Sequence, residues 1–247
     1  MRRFFINQKS AAIDDVIVIQ GDEARHIGKV LRLAAHDTVM LFDTEGVTYT
    51  GIITHKTNGE IAVRVISKVA PGEQDASKVI LAQAVTKAQK MDFIVQKSTE
   101  LGVSKIIPFF SSRCIPKWDS RTAENKARHW QNIVTASVKQ SGIRAVPVVE
   151  QVALFSEVLA GQYAGFLKFI LWEKERENSL KRILSAGTFP QKIIFAVGPE
   201  GGFSGDEIAQ AQEKGFIPVG LGNYILRAET APVAVMSIIR YESGELG

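Results

Sequence analysis

Two glycine-bearing segments near the carboxyl end of the sequence carry the residue types that could hold a small ligand. Residues 198–207 read GPEGGFSGDE, and residues 222–232 read GNYILRAETAP. Glycine lets main-chain N–H groups come close to a ligand, and the second segment also places Arg227, Glu229 and Thr230 next to one another. A small-molecule pocket is therefore one interpretation. Ordinary turns between a strand and a helix have a similar composition, so both interpretations stay open on residue types alone.

The common nucleotide-binding motifs do not match either segment. The first lacks the Lys followed by Ser or Thr that a Walker loop needs, and Gly220 and Gly222 are followed by Ile225 where the dinucleotide fingerprint has its third glycine. A pyrophosphate-binding loop is not expected, and a dehydrogenase is a poor choice. Ser204 and Glu207 instead form an S-x-x-E capping box, which predicts that a helix begins there.

Both segments follow apolar runs that belong to an alternation of strands and helices. The strands predicted after residue 78 are 79–85, 106–110, 146–149, 166–172, 193–197 and 217–221. The predicted helices are 91–101, 122–141, 206–214 and about 231–241, with shorter ones near Ser156 and Leu180. Apolar strands separated by helices indicate a parallel sheet covered on both faces. Ligands bind beyond the carboxyl ends of such strands, so the two segments are expected to meet at neighbouring strand ends.

The first 70 residues show a different pattern, in which apolar and polar side chains alternate. These runs predict strands at 39–42, 47–53 and 61–69. Residues 57–60 (TNGE) join the last two strands and suit a type I′ hairpin, because both central positions tolerate φ > 0. Residues 1–70 are predicted to form a small, mostly β domain, 71–77 a polar linker and 78–247 a second domain.

One helix is predicted within the first domain. Asp22 is expected to cap it, and residues 23–33 are expected to form it. This assignment places Ile27, Val30 and Leu31 on one apolar face.

Composition limits the class of protein further. The 247 residues are 45% hydrophobic and 23% charged with a net charge of +4, which excludes a disordered chain. No apolar run approaches the roughly 18 residues that cross a bilayer, and the start MRRFFIN lacks the apolar stretch of a signal peptide. The basic excess lies mainly in residues 71–150, which is compatible with a polyanionic partner or with solvated helix faces.

Cysteine and histidine usage gives no sign of a disulfide or a metal site. Cys114 is the single cysteine, and the four histidines His26, His36, His55 and His129 do not have zinc-site spacing. We predict a reduced, cytoplasmic protein without a metal. Cys114, Phe4, Phe5, Trp118 and Trp172 are expected to be packing residues rather than chemical groups.

The two glycine segments, taken together, resemble the RsmE family, the 16S ribosomal RNA uridine-N3 methyltransferases of the SPOUT superfamily. The resemblance rests on 198–204 with Glu207, and on 221–222 with 225–231. It continues upstream, so that it covers essentially the whole chain, through 97–103, Pro108, 112–114, 117–118, 140–141, 146–147, 30–32, His26 and 2–4.

The resemblance implies both a fold and an activity. The fold is α/β, a SPOUT-type parallel sheet with a C-terminal trefoil knot, preceded by an N-terminal PUA-like β-barrel that helps to hold RNA. The activity is methylation of N3 of one uridine (U1498) in 16S ribosomal RNA of the small subunit by a homodimer that uses S-adenosylmethionine. The alternatives are a SPOUT methyltransferase acting on another RNA atom, such as a ribose 2′-hydroxyl, and a non-catalytic RNA-binding ribosome-assembly factor.

The resemblance also assigns roles to individual residues. The residues that would bind the cofactor are Gly198, Glu200, Gly201, Gly202, Leu221, Gly222, Ile225, Leu226, Thr230 and Ala231. The residues that would bind RNA are Arg2, Arg3, His26, Lys29, Arg32, Arg113, Lys117 and Arg144. Because uridine N3 carries a proton at neutral pH, Glu229 is the candidate base and Arg227 its electrostatic partner. The competing interpretation is an Arg–Glu pair that holds the loop shut.

Three positions depart from the family pattern. Lys139 and Ile143 stand where the family usually has an acidic residue and an arginine, and Tyr224 stands where an arginine commonly precedes the Ile-Leu-Arg element. These departures are expected to alter RNA contacts and to leave the cofactor pocket intact.

Overall fold

The chain forms two compact units, which are described separately. The structure is a computed structural model that describes residues 3–6, 11–43, 47–57, 59–69, 78–115, 118–141, 143 and 146–246. One unit contains Met1–Asp75 with Val138–Val146, and the other contains Ala76–Ser137 with Pro147–Gly247. The linker expected at 71–77 lies outside the described residues, so the domain boundaries drawn from the sequence stay a prediction.

The first unit is built on a five-stranded sheet in the order β1-β3-β4-β5-β2. Its strands are β1 (Arg3–Phe5), β2 (Val16–Gln20), β3 (Thr38–Phe42), β4 (Thr48–Lys56) and β5 (Glu60–Val69). Neighbouring strands are antiparallel except for β1 and β3, which are parallel. The three strands predicted from alternation are confirmed. One face of this sheet buries an apolar core that includes Ile17, Ile19, Val63 and Val65.

Strand β2 was missed by sequence reasoning although it alternates strictly. Ile17 and Ile19 are buried, while Val16 and Val18 are each 50% exposed. All four side chains are apolar and β-branched, which favours a strand but hides the alternation between its two faces. The alternation of polar and apolar residues that predicts a half-buried strand is therefore absent from β2.

The helix predicted over 23–33 is wrong in its cap and in its extent. Helix α1 covers Gly21–Arg25, its N-cap is Gln20 without a side-chain hydrogen bond, and a π-helical turn follows over His26–Val30. The wider i→i+5 turn is closed by the Leu31 N–H, which donates to the His26 carbonyl at 2.9 Å. The change of pitch removes Val30 from the apolar face, so Val30 is 67% exposed while Ile27 is fully buried.

A turn joins β4 and β5 where the hairpin is predicted. Asn58, one of its two central residues, lies outside the described residues, so the type I′ turn stays a prediction. Thr57 helps to hold the turn, because its Oγ1 accepts a hydrogen bond from the Glu60 N–H at 3.1 Å.

The second unit is built on a parallel sheet in the order β12-β10-β11-β6-β7-β8, with β9 also beside β7. Its strands are β6 (Lys78–Ala84), β7 (Lys105–Phe110), β8 (Val148–Val149), β9 (Ala153–Leu154), β10 (Leu167–Leu171), β11 (Lys192–Val197) and β12 (Ile217–Val219). Every pairing is parallel, which confirms the sheet type expected from the apolar runs. The short strand β9 had no counterpart among the predicted strands.

Helices connect these strands, and most lie where the periodicity predicted them. They are α2 (Ala88–Glu100), α3 (Ser120–Ser141), α4 (Phe155–Leu159), α5 (Leu180–Leu184), α6 (Gly205–Glu213) and α7 (Thr230–Glu242). Helix α2 ends before Gly102, whose φ of 76° only glycine adopts without strain. Among the described residues, no helix is both long and apolar enough to cross a membrane.

The strand order corrects one prediction about the site. The two glycine segments follow β11 and β12, and these strands are not neighbours because β10 pairs with both. The segment that follows β10 therefore lies at the same edge of the sheet, between the two glycine segments.

Candidate functional site

A pocket of about 470 Å³ lies beyond the carboxyl ends of β10, β11 and β12. Its volume is within the range typical of small-molecule sites. Ten of the residues assigned to the cofactor or to catalysis line it: Gly198, Glu200, Gly201, Gly202, Leu221, Gly222, Ile225, Leu226, Arg227 and Ala231. Thr230 and Glu229 are not on the lining; Thr230 begins α7 and Glu229 is its N-cap residue. The structure thus brings together most of the predicted site, and the role of each residue stays a prediction.

Loop A, the segment 198–204 after β11, is fixed at its helical end. The predicted capping box is confirmed: the Glu207 N–H donates to Ser204 Oγ at 3.2 Å, and the Ser204 N–H donates to Glu207 Oε2 at 2.9 Å. The other carboxylate oxygen of Glu207 accepts from the Ser112 N–H at 2.8 Å. Gly202 has a φ of 65°, and a Cβ there would lie 3.1 Å from the Glu173 carboxylate. The loop therefore needs glycine at this position.

Loop B, the segment 220–229 after β12, presents its middle residues to solvent. Tyr224 is 84% exposed and Ile225 is 81% exposed, whereas Leu226 is half-buried. The loop ends where the Arg227 carbonyl accepts from the Thr230 N–H at 2.9 Å and from the Ala231 N–H at 3.0 Å, at the start of α7. The Arg227 side chain is exposed.

Loop C, the segment 172–179 after β10, forms a third wall that sequence reasoning missed. Trp172, Glu173 and Arg176 line the pocket. The Glu175 carboxylate accepts from the N–H groups of Glu177 and Asn178 at 2.7 and 3.0 Å, and these hydrogen bonds lower the pKa of Glu175, the one from Asn178 most strongly. Loop C, like loops A and B, follows the carboxyl end of a parallel strand, where ligands bind. Only the strand order shows that loop C belongs to the same site.

Loops B and C meet at Gly220. The Gly220 N–H donates to the Asn178 carbonyl at 2.9 Å, and a Cβ on Gly220 would lie 2.5 Å from the Glu175 carbonyl oxygen. Real Cβ atoms do not come this close to a backbone oxygen, so the approach of the two loops depends on glycine.

Lys90, on the first turn of α2, is a second residue that sequence reasoning missed. It lines the pocket, and its Nζ lies 3.1 Å from Glu229 Oε2 and 3.5 Å from Glu200 Oε1. Hydrogen bonding to Glu229 and the charges of Glu229 and Glu200 raise the pKa of Lys90, although burial opposes the shift. No motif marks this lysine, since it lies far from both loops along the chain.

The environment of Glu229 bears on its predicted role as a base. Burial acts to raise the pKa of this carboxyl, but backbone hydrogen bonding, the Lys90 ammonium and the Arg227 charge together hold the pKa below its ordinary value. Its ion-pair partner is Lys90 rather than Arg227. The predicted Arg–Glu pair is therefore replaced by a Lys–Glu pair, and a carboxylate with a lowered pKa is a weaker proton acceptor.

The pocket suits the methyl donor that the resemblance implies. Its walls include the apolar side chains of Leu171, Val197 and Val219, which suit a purine ring. Close glycine backbone at loops A and B can approach a ribose or an adenine edge. The carboxylates of Glu173 and Glu200 on the lining complement a cationic sulfonium or ammonium group.

The candidate RNA-binding residues are placed unevenly. Arg113, on the second unit, donates from Nη1 to the Gly201 carbonyl at 2.9 Å, beside loop A. On the first unit, His26, Lys29 and Arg32 are exposed. Arg3 lies in β1, and Arg2, Lys117 and Arg144 lie outside the described residues.

The residues expected to pack are mostly in packed positions. Phe4 is buried, the Phe5 and Phe42 rings lie 5.6 Å apart, and Trp118 contacts Phe110 and Trp130. Trp172 packs against the core but also lines the pocket. The Cys114 thiol is half-buried and donates to the Val85 carbonyl at 3.3 Å. In the described part of the chain, no group of His, Cys, Asp and Glu has an arrangement that could hold a metal ion.

Two family models match this sequence. The model for the RNA methyltransferase domain matches residues 73–240, and the model for the RNA methyltransferase PUA domain matches residues 19–66. The matched regions correspond to the parallel-sheet unit and to the β unit.

Individual relatives match over nearly the whole chain. The ribosomal RNA small subunit methyltransferase E of Buchnera aphidicola subsp. Schizaphis graminum is 32% identical over 95% of this chain and 94% of its own, and that of Bacillus subtilis is 28% identical over 98% and 97%. A crystal structure of a ribosomal RNA small subunit methyltransferase E from Neisseria gonorrhoeae bound to S-adenosyl methionine is similar with a TM-score of 0.85. It is 31% identical, and the match covers 98% of this chain and 97% of that one.

Proposed function

Since the chain belongs to the ribosomal RNA small subunit methyltransferase E family, we propose that it transfers a methyl group from S-adenosylmethionine to N3 of one uridine in 16S ribosomal RNA. The observation that carries this proposal is the pocket at the ends of β10, β11 and β12, which collects nine of the ten predicted cofactor residues. When bound there, the cofactor supplies an electrophilic methyl group on a sulfonium. The rest of the chemistry belongs to the residues of this chain.

Loops A, B and C would hold the donor, because all three line the pocket. Main-chain groups of Gly198, Gly201, Leu221 and Leu226 would hold the nucleoside, because shape and few charges suffice to recognise adenine and ribose. Trp172 and Val219 cover the apolar side of the pocket. Positioning of this kind supplies much of the rate enhancement in a group transfer.

The N3 proton must leave before N3 can act as a nucleophile. Arg227 is exposed on the lining of the pocket, where its guanidinium can stabilise the uridine anion that forms. Backbone hydrogen bonding, Lys90 and Arg227 outweigh burial and lower the pKa of Glu229. We therefore assign Glu229 first to the ion pair with Lys90 and only second to proton removal. The proton then passes to solvent, which reaches the exposed Arg227 on the lining of the pocket.

RNA binding involves both units in this proposal. The RNA methyltransferase PUA domain, residues 19–66, contributes His26, Lys29 and Arg32, and the second unit contributes Arg113. The proposal includes a homodimer, a trefoil knot formed by loops A and B, the small ribosomal subunit as the substrate particle, and the cytoplasm as the site of action. Each is implied by the family resemblance and is open to direct test.

One experiment tests the function. Small subunits that lack the modification are incubated with the protein and methyl-labelled cofactor, and the labelled nucleoside is identified by mass spectrometry. We expect a base-methylated uridine at one position. Label on a ribose would support the 2′-hydroxyl alternative, and cofactor binding without methyl transfer to any RNA would support the assembly-factor alternative.

A further inference from the structure

Lys90 connects three separate segments at the mouth of the pocket. Its side chain starts from α2, its Nζ lies 3.5 Å from Glu200 of loop A, and it lies 3.1 Å from Glu229 at the end of loop B. The backbone of α2 joins the same contact, because the Lys87 N–H donates to Glu200 Oε1 at 3.5 Å. One ammonium group thus contacts both loops that were predicted to hold the cofactor.

The charged side chains of Lys90, Glu200 and Glu229 are partly buried, which strengthens the interactions between their charges. The side chains of Lys90, Glu200 and Glu229 are 34%, 26% and 20% exposed. The buried Oε2 of Glu229 lies 3.1 Å from Lys90 Nζ, so the ammonium is its ion-pair partner. Removing the lysine would leave the carboxylates of Glu200 and Glu229 near each other in a partly desolvated site, where their like charges repel.

The far ends of the same two helices are held independently. Arg240, near the end of α7, donates from Nε to the Leu101 carbonyl at 3.0 Å and from Nη2 to the Gly102 carbonyl, just after α2. Helices α2 and α7 therefore run parallel and are joined at both ends. The Arg240 contacts hold the end away from the pocket, and the Lys90 ion pairs hold the end near Glu200 and Glu229.

We propose that Lys90 is a positioning residue, which binds the carboxylates of Glu200 and Glu229 and thereby holds loops A and B in the geometry that receives the methyl donor. The proposal rests on the proposed function, because it assigns the donor to this pocket. Lys90 acts through the loops and does not take part in proton transfer or in RNA contacts. Its loss should therefore weaken donor binding more than it slows the transfer step.

The test compares three variants of the full-length protein. Lys90→Met removes the charge and keeps much of the apolar stem, and Lys90→Arg keeps a cation whose planar guanidinium can contact both carboxylates. Lys97→Met is the matched control, because Lys97 is also on α2, is also 34% exposed in its side chain, and pairs with Glu100 away from the pocket. Calorimetry measures binding of S-adenosylmethionine and S-adenosylhomocysteine, and Trp172 in the pocket wall provides a fluorescence signal for the same equilibrium. Thermal unfolding and single-turnover methyl transfer complete the set.

We expect Lys90→Met to raise the dissociation constant of the donor about tenfold, because the uncompensated carboxylates of Glu200 and Glu229 repel and reduce the fraction of the protein in the binding-competent geometry. Lys90→Arg should recover most of this loss, and Lys97→Met should bind as the unaltered protein does. At saturating donor, the transfer rate of Lys90→Met should remain within about threefold of the unaltered rate. Any fall in the thermal midpoint of Lys90→Met relative to Lys97→Met should be recovered in Lys90→Arg, as the donor affinity is.

Three results would overturn the assignment. Unchanged donor affinity in Lys90→Met would show that the loops hold their geometry without the lysine. A lower midpoint together with no recovery in Lys90→Arg would show a purely structural role. A higher KM for RNA at unchanged donor affinity would make Lys90 an RNA contact. If the unaltered protein itself binds no S-adenosylmethionine, the proposed function fails rather than the role of Lys90.

Discussion

At the scale of single residues, the structure changes the interpretation of Glu229. The sequence offered two roles for this carboxylate, a base for uridine N3 or the partner of a nearby arginine. The observed partner is Lys90, and the net effect of the surroundings is to lower the pKa of Glu229. A carboxylate that holds its proton less tightly is poorly suited to removing the proton of a weak acid.

We therefore expect Glu229→Gln to reduce the single-turnover rate by less than about tenfold, whereas loss of a general base typically costs about 10²–10⁴-fold. The affinity for the donor should fall at the same time, because a neutral amide cannot form an ion pair with Lys90. Quench-flow measurement at saturating donor and RNA separates the two effects. Glu100→Gln is a matched control, since Glu100 also pairs with a lysine of α2. A rate loss of a hundredfold or more at saturation would restore the role of base.

At the scale of elements, the site depends on how loop C packs on loop B. Loop C is held by the Glu175 carboxylate, which accepts two backbone N–H groups of its own turn. Gly220 lets loop B approach that turn. Neither residue belongs to the motifs that identify the family, yet both determine the shape of the pocket.

Replacing Gly220 should separate these loops. In Gly220→Ala the new Cβ would lie 2.5 Å from the Glu175 carbonyl oxygen, and overpacking of this kind typically costs about 1–3 kcal/mol of unfolding free energy. We expect weaker donor binding as well, because the pocket wall must shift. Gly205→Ala is the control, since a Cβ there meets open space and Gly205 does not need a positive φ. Chemical denaturation and calorimetry measure the two effects, and equal behaviour of the two variants would contradict the packing argument.

Glu175 should make the stability of loop C depend on pH. Its folded-state pKa is lowered below the ordinary value of 4.5, so its contribution is fully present above about pH 4.5 and is lost as the pH falls through the folded-state pKa. Unaltered protein should be more stable than Glu175→Gln at pH 6, and this difference should shrink below pH 4.5. Thermal unfolding of both proteins across pH 3–7 checks this expectation. A difference that stays constant with pH would contradict it.

At the scale of the whole molecule, the chain combines a mostly β unit with a parallel-sheet unit that contains the pocket. The two units match family models for the RNA methyltransferase PUA domain and for the RNA methyltransferase domain. The pocket proposed for the donor is lined only by residues of the second unit. RNA binding is proposed to use both.

This division predicts that the affinity for RNA can be lowered without changing the affinity for the methyl donor. Lys29→Gln combined with Arg32→Gln should weaken binding of 16S ribosomal RNA and reduce the slope of log K against log salt by about 1–2, because each phosphate contact releases counterions. Affinity for S-adenosylmethionine should not change. Arg64→Gln combined with Lys68→Gln removes the same charge from exposed positions of β5 and serves as the control. If both pairs change the slope equally, the effect is one of net charge and Lys29 and Arg32 are not specific contacts.

The sequence by itself determined the local elements and the identity of the family. Apolar runs predicted the described strands of the parallel sheet except β9 to within a few residues. The pair Ser204 and Glu207 predicted the start of α6, and the glycine segments marked two walls of the pocket. These features depend on residues close together along the chain, which is why patterns and motifs predict them. Local patterns failed in β2, because its buried and exposed faces are both apolar and show no alternation of polarity. They also failed after Arg25, where the helix changes from α to π pitch.

Only the tertiary structure decided which segments share the site. The position of β10 between β11 and β12 brings loop C into the pocket, and the packing of α2 beside α7 brings Lys90 to Glu200 and Glu229. Strand order and helix packing are set by contacts between residues far apart in the chain, and no local period or spacing records them. Loop C as a wall of the pocket, and Lys90 as the contact between loops A and B, could therefore be found only in the folded molecule.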